Sequence, residues 1–305
     1  MPEGINWGLP VAIYLFIGGM AAAAYYIGVI ADIAGKGRYR DIARLGSYSV
    51  FIPICIGLIM LLLDLGKPLS FWHLIFQIGP LHNGLVFKAG SAMSLGVWLL
   101  GAFVIICGVL YPLMWLAEEK TCRNLPLVSG LAGKEKLRRN IGLLGMPFAV
   151  LVAAYTGVLL AATSVPVWAD TPLLPALFVL SATSTGIAAI IILLGLTGSH
   201  DHGILARLEK GDSFIIKIEL LVVVLTFFIL LFLPDTSGLV RNVMFGSYAV
   251  FFWLGVIVVG LLLPLSIQRY SLRAYSANTN GLAVMSAILV LCGGFFLRYV
   301  ILLAV

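Results

Sequence analysis

The chain is 305 residues long, 61% hydrophobic and only 10% charged, with a formal net charge of +6, whereas an average soluble domain is roughly 25% charged. So few charges cannot cover the surface of a water-soluble fold of this size. This excludes a soluble catalytic domain and requires apolar segments that face lipid or one another. The positive balance is no nucleic-acid footprint, because Lys and Arg gather in a few segments between apolar runs, which is the pattern of a membrane topology signal.

A hydrocarbon core of ~30 Å needs about 20 apolar residues of helix. That length places spans near 10–32, 46–65, 90–116, 141–163, 173–196, 214–234, 244–265 and 281–303, an all-α membrane protein of eight transmembrane helices. Met1-Pro-Glu-Gly-Ile-Asn carries no basic region, so no cleavable signal peptide is expected and the first span itself directs export. That span holds Tyr14 and closes at Gly35-Lys-Gly-Arg38. The second ends in Leu61-Leu-Leu-Asp64-Leu-Gly-Lys67-Pro68. The segment carrying His73 and His82 follows. The third span is long enough to tilt or to emerge from the membrane. Tyr155 lies in the fourth, Glu219 in the sixth and Arg298 in the eighth.

Loops after the first, third, fifth and seventh spans hold fourteen Lys and Arg, while the opposite side has Lys67, Lys88 and Arg241. By the positive-inside rule the odd-numbered loops are cytoplasmic and both termini are extracytoplasmic. A faint likeness between Ala12-Ile-Tyr-Leu-Phe-Ile-Gly-Gly and the start of the fifth span permits a parallel duplication. The division expected is two four-helix bundles, residues 1–168 and 169–305.

An ionisable group inside the bilayer costs at least ~2.5 kcal/mol, so Asp32, Asp64, Lys217, Glu219 and Arg298 require an explanation. Asp32 and Lys217 lie near enough to the cytoplasmic face to reach water. Asp64 admits two readings: an ion pair with Lys67 at i+3, or a proton-handling group. Glu219 likewise fits a helix–helix hydrogen bond or a proton path, and Arg298 an anchor among the headgroups. Tyr14, Tyr155, Asp64, His73 and His82 all fall toward the outer face. Such a cluster suits a quinone, whose headgroup needs hydrogen bonds and a proton route while its tail lies in lipid. The four histidines, His73, His82, His200 and His202, lie in loops or at helix ends, so no axial pair for a bundle haem is available. Cys55, Cys107, Cys122 and Cys292 show no C-x-x-C spacing, which points to core packing rather than a metal or disulfide framework. There is no Walker motif and no G-x-G-x-x-G in a strand–turn–helix setting.

The segments Trp7-Gly-Leu-Pro-Val-Ala-Ile-Tyr14, Asp64-Leu-Gly-Lys-Pro-Leu-Ser-Phe-Trp72, Ser91-Ala-Met-Ser-Leu-Gly96, Tyr155-Thr-Gly-Val-Leu-Leu and Leu174-Pro-Ala-Leu-Phe-Val-Leu-Ser-Ala-Thr-Ser-Thr-Gly186, with the tail Gly294-Phe-Phe-Leu-Arg298, resemble in order the NrfD/PsrC-type membrane subunits of nitrite- and polysulphide-reductase systems. The resemblance implies a haem-free, quinone-interacting anchor of eight helices in a bacterial or archaeal cytoplasmic membrane. It implies an extracytoplasmic ferredoxin-like subunit with iron–sulphur clusters, connected to a molybdopterin or multihaem cytochrome subunit. It implies menaquinone or ubiquinone near the outer face of the first bundle. The family's pocket tyrosine falls on Tyr155, and Tyr14 occupies a first-helix position where some relatives have histidine. His73 or His82 then supplies a further donor, and Asp64, coupled to Lys67 or Arg298, exchanges the proton. For Glu219 the expectation beside a helix–helix hydrogen bond is a place in a proton path from the cytoplasm. Two rivals remain on sequence: a secondary transporter, which requires helices broken at the midplane, and a passive anchor for soluble subunits.

Overall fold

The computed structural model describes residues 8–35, 37–64, 73, 75–78, 83–85, 91–119, 130–131, 133–163, 166–169, 171, 173–197, 202–233, 236–274 and 279–303. Eight helices are long and apolar enough to cross a membrane: α1 (Leu9–Ala34), α2 (Arg40–Asp64), α3 (Ala92–Leu116), α4 (Glu135–Ala161), α5 (Leu174–Leu196), α6 (His202–Phe232), α7 (Phe251–Arg273) and α8 (Thr279–Leu303). Short helices Pro166–Ala169 and Ser237–Phe245 join α4 to α5 and α6 to α7.

The spans stand where the apolar runs place them, but several ends differ. Helix α6 begins at His202 instead of near 214, and α2 at Arg40 instead of near 46. A hydropathy ruler discards turns that carry charge. In the first turns of α6, however, Ile204, Leu205 and Leu208 are buried while Arg207 and Lys210 point outward. An amphipathic helix of that kind continues past the end of the apolar core. Helix α7 starts at Phe251 rather than 244 because Ser237–Phe245 forms its own helix, ended at Gly246. Between α2 and α3, Phe76–Ile78 pairs antiparallel with Asn83–Leu85, placing Phe76 opposite Leu85.

Helices α1 and α5 are the most enclosed: 67% and 72% of their central windows are buried, against 33% in α2, α3 and α6. The reason is visible in sequence. Ala21–Ala24 of α1 are fully buried, and α5 is Ser-, Thr-, Gly- and Ala-rich along its middle. In lipid, where apolar surface gains nothing by leaving the solvent, close van der Waals approach of small residues drives association. Helix α1 packs on α2, α4, α5 and α8, while α5 packs on α1, α4, α6 and α8. Helix α3 lies against α2 and α4, and α7 against α6 and α8. Two glycine crossings show how closely the backbones approach. A Cβ on Gly46 of α2 would lie 2.7 Å from the Ala24 carbonyl oxygen, and one on Gly293 of α8 would lie 2.0 Å from Gly260 Cα of α7. All eight spans run through unbroken, including past Pro53 and Pro147, so the midplane breaks that a transporter requires are not found among the described residues.

Candidate functional site

At the end of the molecule away from the basic loops, the first four helices bring two of the expected site residues together. Tyr14 is fully buried on α1, and Gly57 of α2 lies against its ring. Tyr155 is half-buried on α4, which packs against α1. The Tyr155 hydroxyl donates to the Ala92 carbonyl oxygen at 2.9 Å. That carbonyl belongs to the first turn of α3, which Ser91 caps by accepting from the Ser94 amide. The phenol reaches it only because Gly96 carries no side chain: a Cβ there would lie 2.0 Å from the Tyr155 oxygen. Two of the motif segments, Ser91–Gly96 and Tyr155-Thr-Gly, therefore form one seat.

The other expected members are placed less closely. Asp64 ends α2 in an exposed position, and His73 is exposed beyond it. His82, Lys67 and Lys88 lie outside the described residues. The expected coupling of Asp64 to Arg298 is corrected by the structure. Arg298 is no headgroup anchor but wholly buried where α1, α5 and α8 meet. Its Nε donates to the Leu15 carbonyl at 3.2 Å, and its Nη1 donates to Ser181 Oγ at 3.2 Å and to the Gly294 carbonyl at 2.7 Å. Its charge also faces the rings of Phe16 and Phe178, at 5.7 and 5.3 Å. Glu219, buried on α6, lines one small cavity together with Ser181, the hydroxyl that Arg298 bonds.

Two further buried acids on α6 escaped the sequence reading. Asp212 accepts from Ser184 of α5 and from Gln268 of α7, each at 2.7 Å. Glu209 accepts from Ser271 of α7 at 3.0 Å. Both lie in the turns that the hydropathy ruler had left to a loop. A helical spacing test carried beyond the apolar core finds them, because Glu209, Asp212, Ile216 and Glu219 fall on one face.

Asp32 is likewise not solvated as expected. It receives Arg138 through two bonds, Nη2 to Oδ1 at 2.8 Å and Nε to Oδ2 at 3.1 Å, and the Tyr111 hydroxyl at 3.3 Å. Arg138 also pairs with Glu118, which in turn holds Arg40, and its guanidinium sits 3.9 Å over the Trp115 ring. This network fastens α1 to α4 at the basic end. Position near a membrane face had suggested exposure. The neighbour that closes the site, Arg138, comes from a distant part of the chain.

The residues at the outer end fit a quinone headgroup. Two phenols stand on different helices, Tyr14 buried on α1 and Tyr155 half-buried on α4, and Asp64 is exposed at the end of α2. Among the described residues no group of three or more His, Cys, Asp or Glu side chains is arranged to hold a metal ion. The family described as "Polysulphide reductase, NrfD" matches residues 1–305. The chain is 30% identical to a polysulfide reductase chain of Wolinella succinogenes and 29% identical to an NrfD homolog of Haemophilus influenzae, each over 98% of this chain and 94% of the relative. It is 23% identical to a selenate reductase subunit of Mesobacillus selenatarsenatis over 85% of this chain and 66% of that protein. With the family matched from end to end and eight helices able to span a membrane, the chain belongs to the NrfD/polysulphide reductase family of multi-pass membrane proteins.

Proposed function

We propose that this chain is the haem-free, quinone-interacting subunit of an oxidoreductase complex. It passes electrons between menaquinone or ubiquinone and a ferredoxin-like iron–sulphur subunit on the extracytoplasmic face of the cytoplasmic membrane. A molybdopterin or multihaem catalytic subunit completes the complex. The observation that carries this reading is the placing of two tyrosines at the end opposite the basic loops, Tyr14 buried on α1 against Gly57 and Tyr155 on the Gly96 seat. Two of the relatives are named as parts of a polysulfide reductase and of a selenate reductase, which supports a place in a reductase complex.

A bound quinone exchanges two electrons and two protons through its ring oxygens. The chain's own residues hold and orient it. Tyr155 and Tyr14 present phenol hydroxyls from α4 and α1, which fixes the headgroup between two rigid helices rather than on loops. In the structure the Tyr155 hydroxyl gives its one proton to the Ala92 carbonyl, and on quinone binding it exchanges that acceptor for a ring oxygen of the headgroup. Asp64, exposed at the rim, exchanges protons with outer water, and His73 and His82 are the further donors on the segment that follows. Residues 1–168 form the quinone-binding half and residues 169–305 the second half, with Glu219 and Arg298 of that half in a proton path.

The test is to purify the chain with its soluble partners, extract and quantify quinone, and measure quinol oxidation or quinone reduction. Stoichiometric quinone and steady turnover are expected. An assembled complex with neither would make the chain a passive anchor. Substrate-dependent flux by the chain alone would make it a transporter.

A further inference from the structure

The basic end of the molecule holds a cavity that the Asp32–Arg138 network leaves unfilled. Its volume is about 120 Å³, and its wall includes Asp32 of α1, Gly37, Arg40 of α2, and Glu135, Arg138 and Arg139 of α4. A single water needs ~10–15 Å³, so the space admits a guest several times larger. Three guanidinium groups stand against two carboxylates, which leaves the wall one positive charge in excess. At Gly37 the backbone is left-handed, with φ at +89°, and a Cβ there would meet nothing within 4 Å. The cavity is therefore open on that side.

The donors around it outnumber the acceptors. Arg138 covers both oxygens of Asp32, and Glu118 is shared between Arg138 and Arg40. Those bonds use three of the five N–H donors of Arg138. Arg139 makes no salt bridge among the described residues, and its Nε is buried without a hydrogen-bond partner there. A buried charged donor left unpaired is costly, and an anion in the cavity removes that cost. Glu135 also opens α4, a helix of 27 residues whose first turn no side chain caps. Its free N–H groups and the positive end of its dipole favour negative charge at the same place. The same helices show apolar surface close by: Ile30 and Ile33 of α1 and Leu137 of α4 are exposed, within a turn of Asp32 and Arg138. A soluble anion has no use for that surface, whereas acyl chains do.

We propose that this cavity binds the phosphate of an anionic phospholipid from the leaflet at the basic end, cytoplasmic by the positive-inside rule. Basic pockets between spans on that side suit anionic headgroups. Arg139 supplies the unused guanidinium, Arg40 and Arg138 the further donors, and the first turn of α4 its amides. The acyl chains lie along Ile30, Ile33 and Leu137. A lipid held in this way joins α1, α2 and α4 beside the Asp32–Arg138 pair. The site is at the end opposite Tyr14 and Tyr155, so it stands or falls apart from the quinone reading.

The test takes the assembled complex, stripped of lipid in a neutral detergent, and titrates it with phosphatidylglycerol, phosphatidylcholine or inorganic phosphate while thermal unfolding is followed. Phosphatidylglycerol is expected to raise the unfolding temperature saturably, and the other two only at concentrations at least about tenfold higher. Arg139→Gln is expected to weaken phosphatidylglycerol binding about tenfold or more, the worth of one hydrogen bond to a charged group. A phosphatidylglycerol with a photoreactive group on its acyl chain near the glycerol is expected to label the unaltered protein around Ile33 and Leu137. That labelling decides the site even if the variant fails to assemble. Undiminished phosphatidylglycerol binding by Arg139→Gln overturns the proposal, as does labelling that spares both α1 and α4. An equal effect of phosphatidylcholine also overturns it. Inorganic phosphate as potent as phosphatidylglycerol overturns the lipid assignment and makes the cavity a site for a soluble anion.

Discussion

At the scale of single residues, a missing side chain decides where the pocket tyrosine points. Gly96 leaves the gap that the Tyr155 hydroxyl fills, and a Cβ there would sit 2.0 Å from the phenol oxygen. Gly96→Ala is therefore expected to displace Tyr155 and, as overpacking of a well-packed contact, to cost about 1–3 kcal/mol. Thermal unfolding in detergent together with quinone turnover checks it: turnover should fall more steeply than stability, because α3 can shift but the phenol loses its seat. Tyr14 and Tyr155 were legible in sequence as outer-half tyrosines within motif segments. Asp32 and Arg298 were not read correctly, for one physical reason. Depth along a helix can be estimated from sequence, but which neighbour closes over a side chain depends on helix packing. Arg138 closes over Asp32 from α4, and Ser181 with the Leu15 carbonyl closes over Arg298 from α5 and α1.

At the scale of elements, the helices are held by glycine crossings and by an ionic clasp at the basic end. The Asp32–Arg138 pair joins α1 to α4 and is buried on both sides. Removing one partner leaves the other charge uncompensated, which typically costs about 3–5 kcal/mol. Arg138→Ala is expected to lower the unfolding temperature and the yield of assembled protein. Restoring neutrality with Asp32→Asn in the same chain should recover part of the loss, and a double-mutant cycle measures how much. The crossing of α7 and α8 allows no side chain at Gly293. Gly293→Leu is expected to part these helices and shift α8, which carries Arg298, read as loss of folded protein. Eight apolar runs announced these elements plainly. The charged turns of α6 did not, because a hydropathy window scores average composition, whereas Glu209 and Asp212 depend on the face they occupy.

At the scale of the whole molecule, the two ends differ in charge and in chemistry. One end carries Arg40, Arg44, Arg138 and their acids, and the other Tyr14, Tyr155 and Asp64. The positive-inside rule then predicts a direction. Lys134→Cys and Arg241→Cys, both at exposed positions, should react with an impermeant thiol reagent from opposite sides, Lys134 only from the cytoplasm and Arg241 only from outside. The reverse pattern would turn the pocket inward and separate it from an extracytoplasmic partner. The central claim is that Tyr155 acts on quinone at the outer end, and it is tested most directly by Tyr155→Phe in the purified complex. Loss of one hydroxyl on an otherwise unchanged ring is expected to slow quinone turnover about tenfold, the worth of one well-placed hydrogen bond, while the complex still assembles. Full turnover with an unchanged quinone KM would contradict the account.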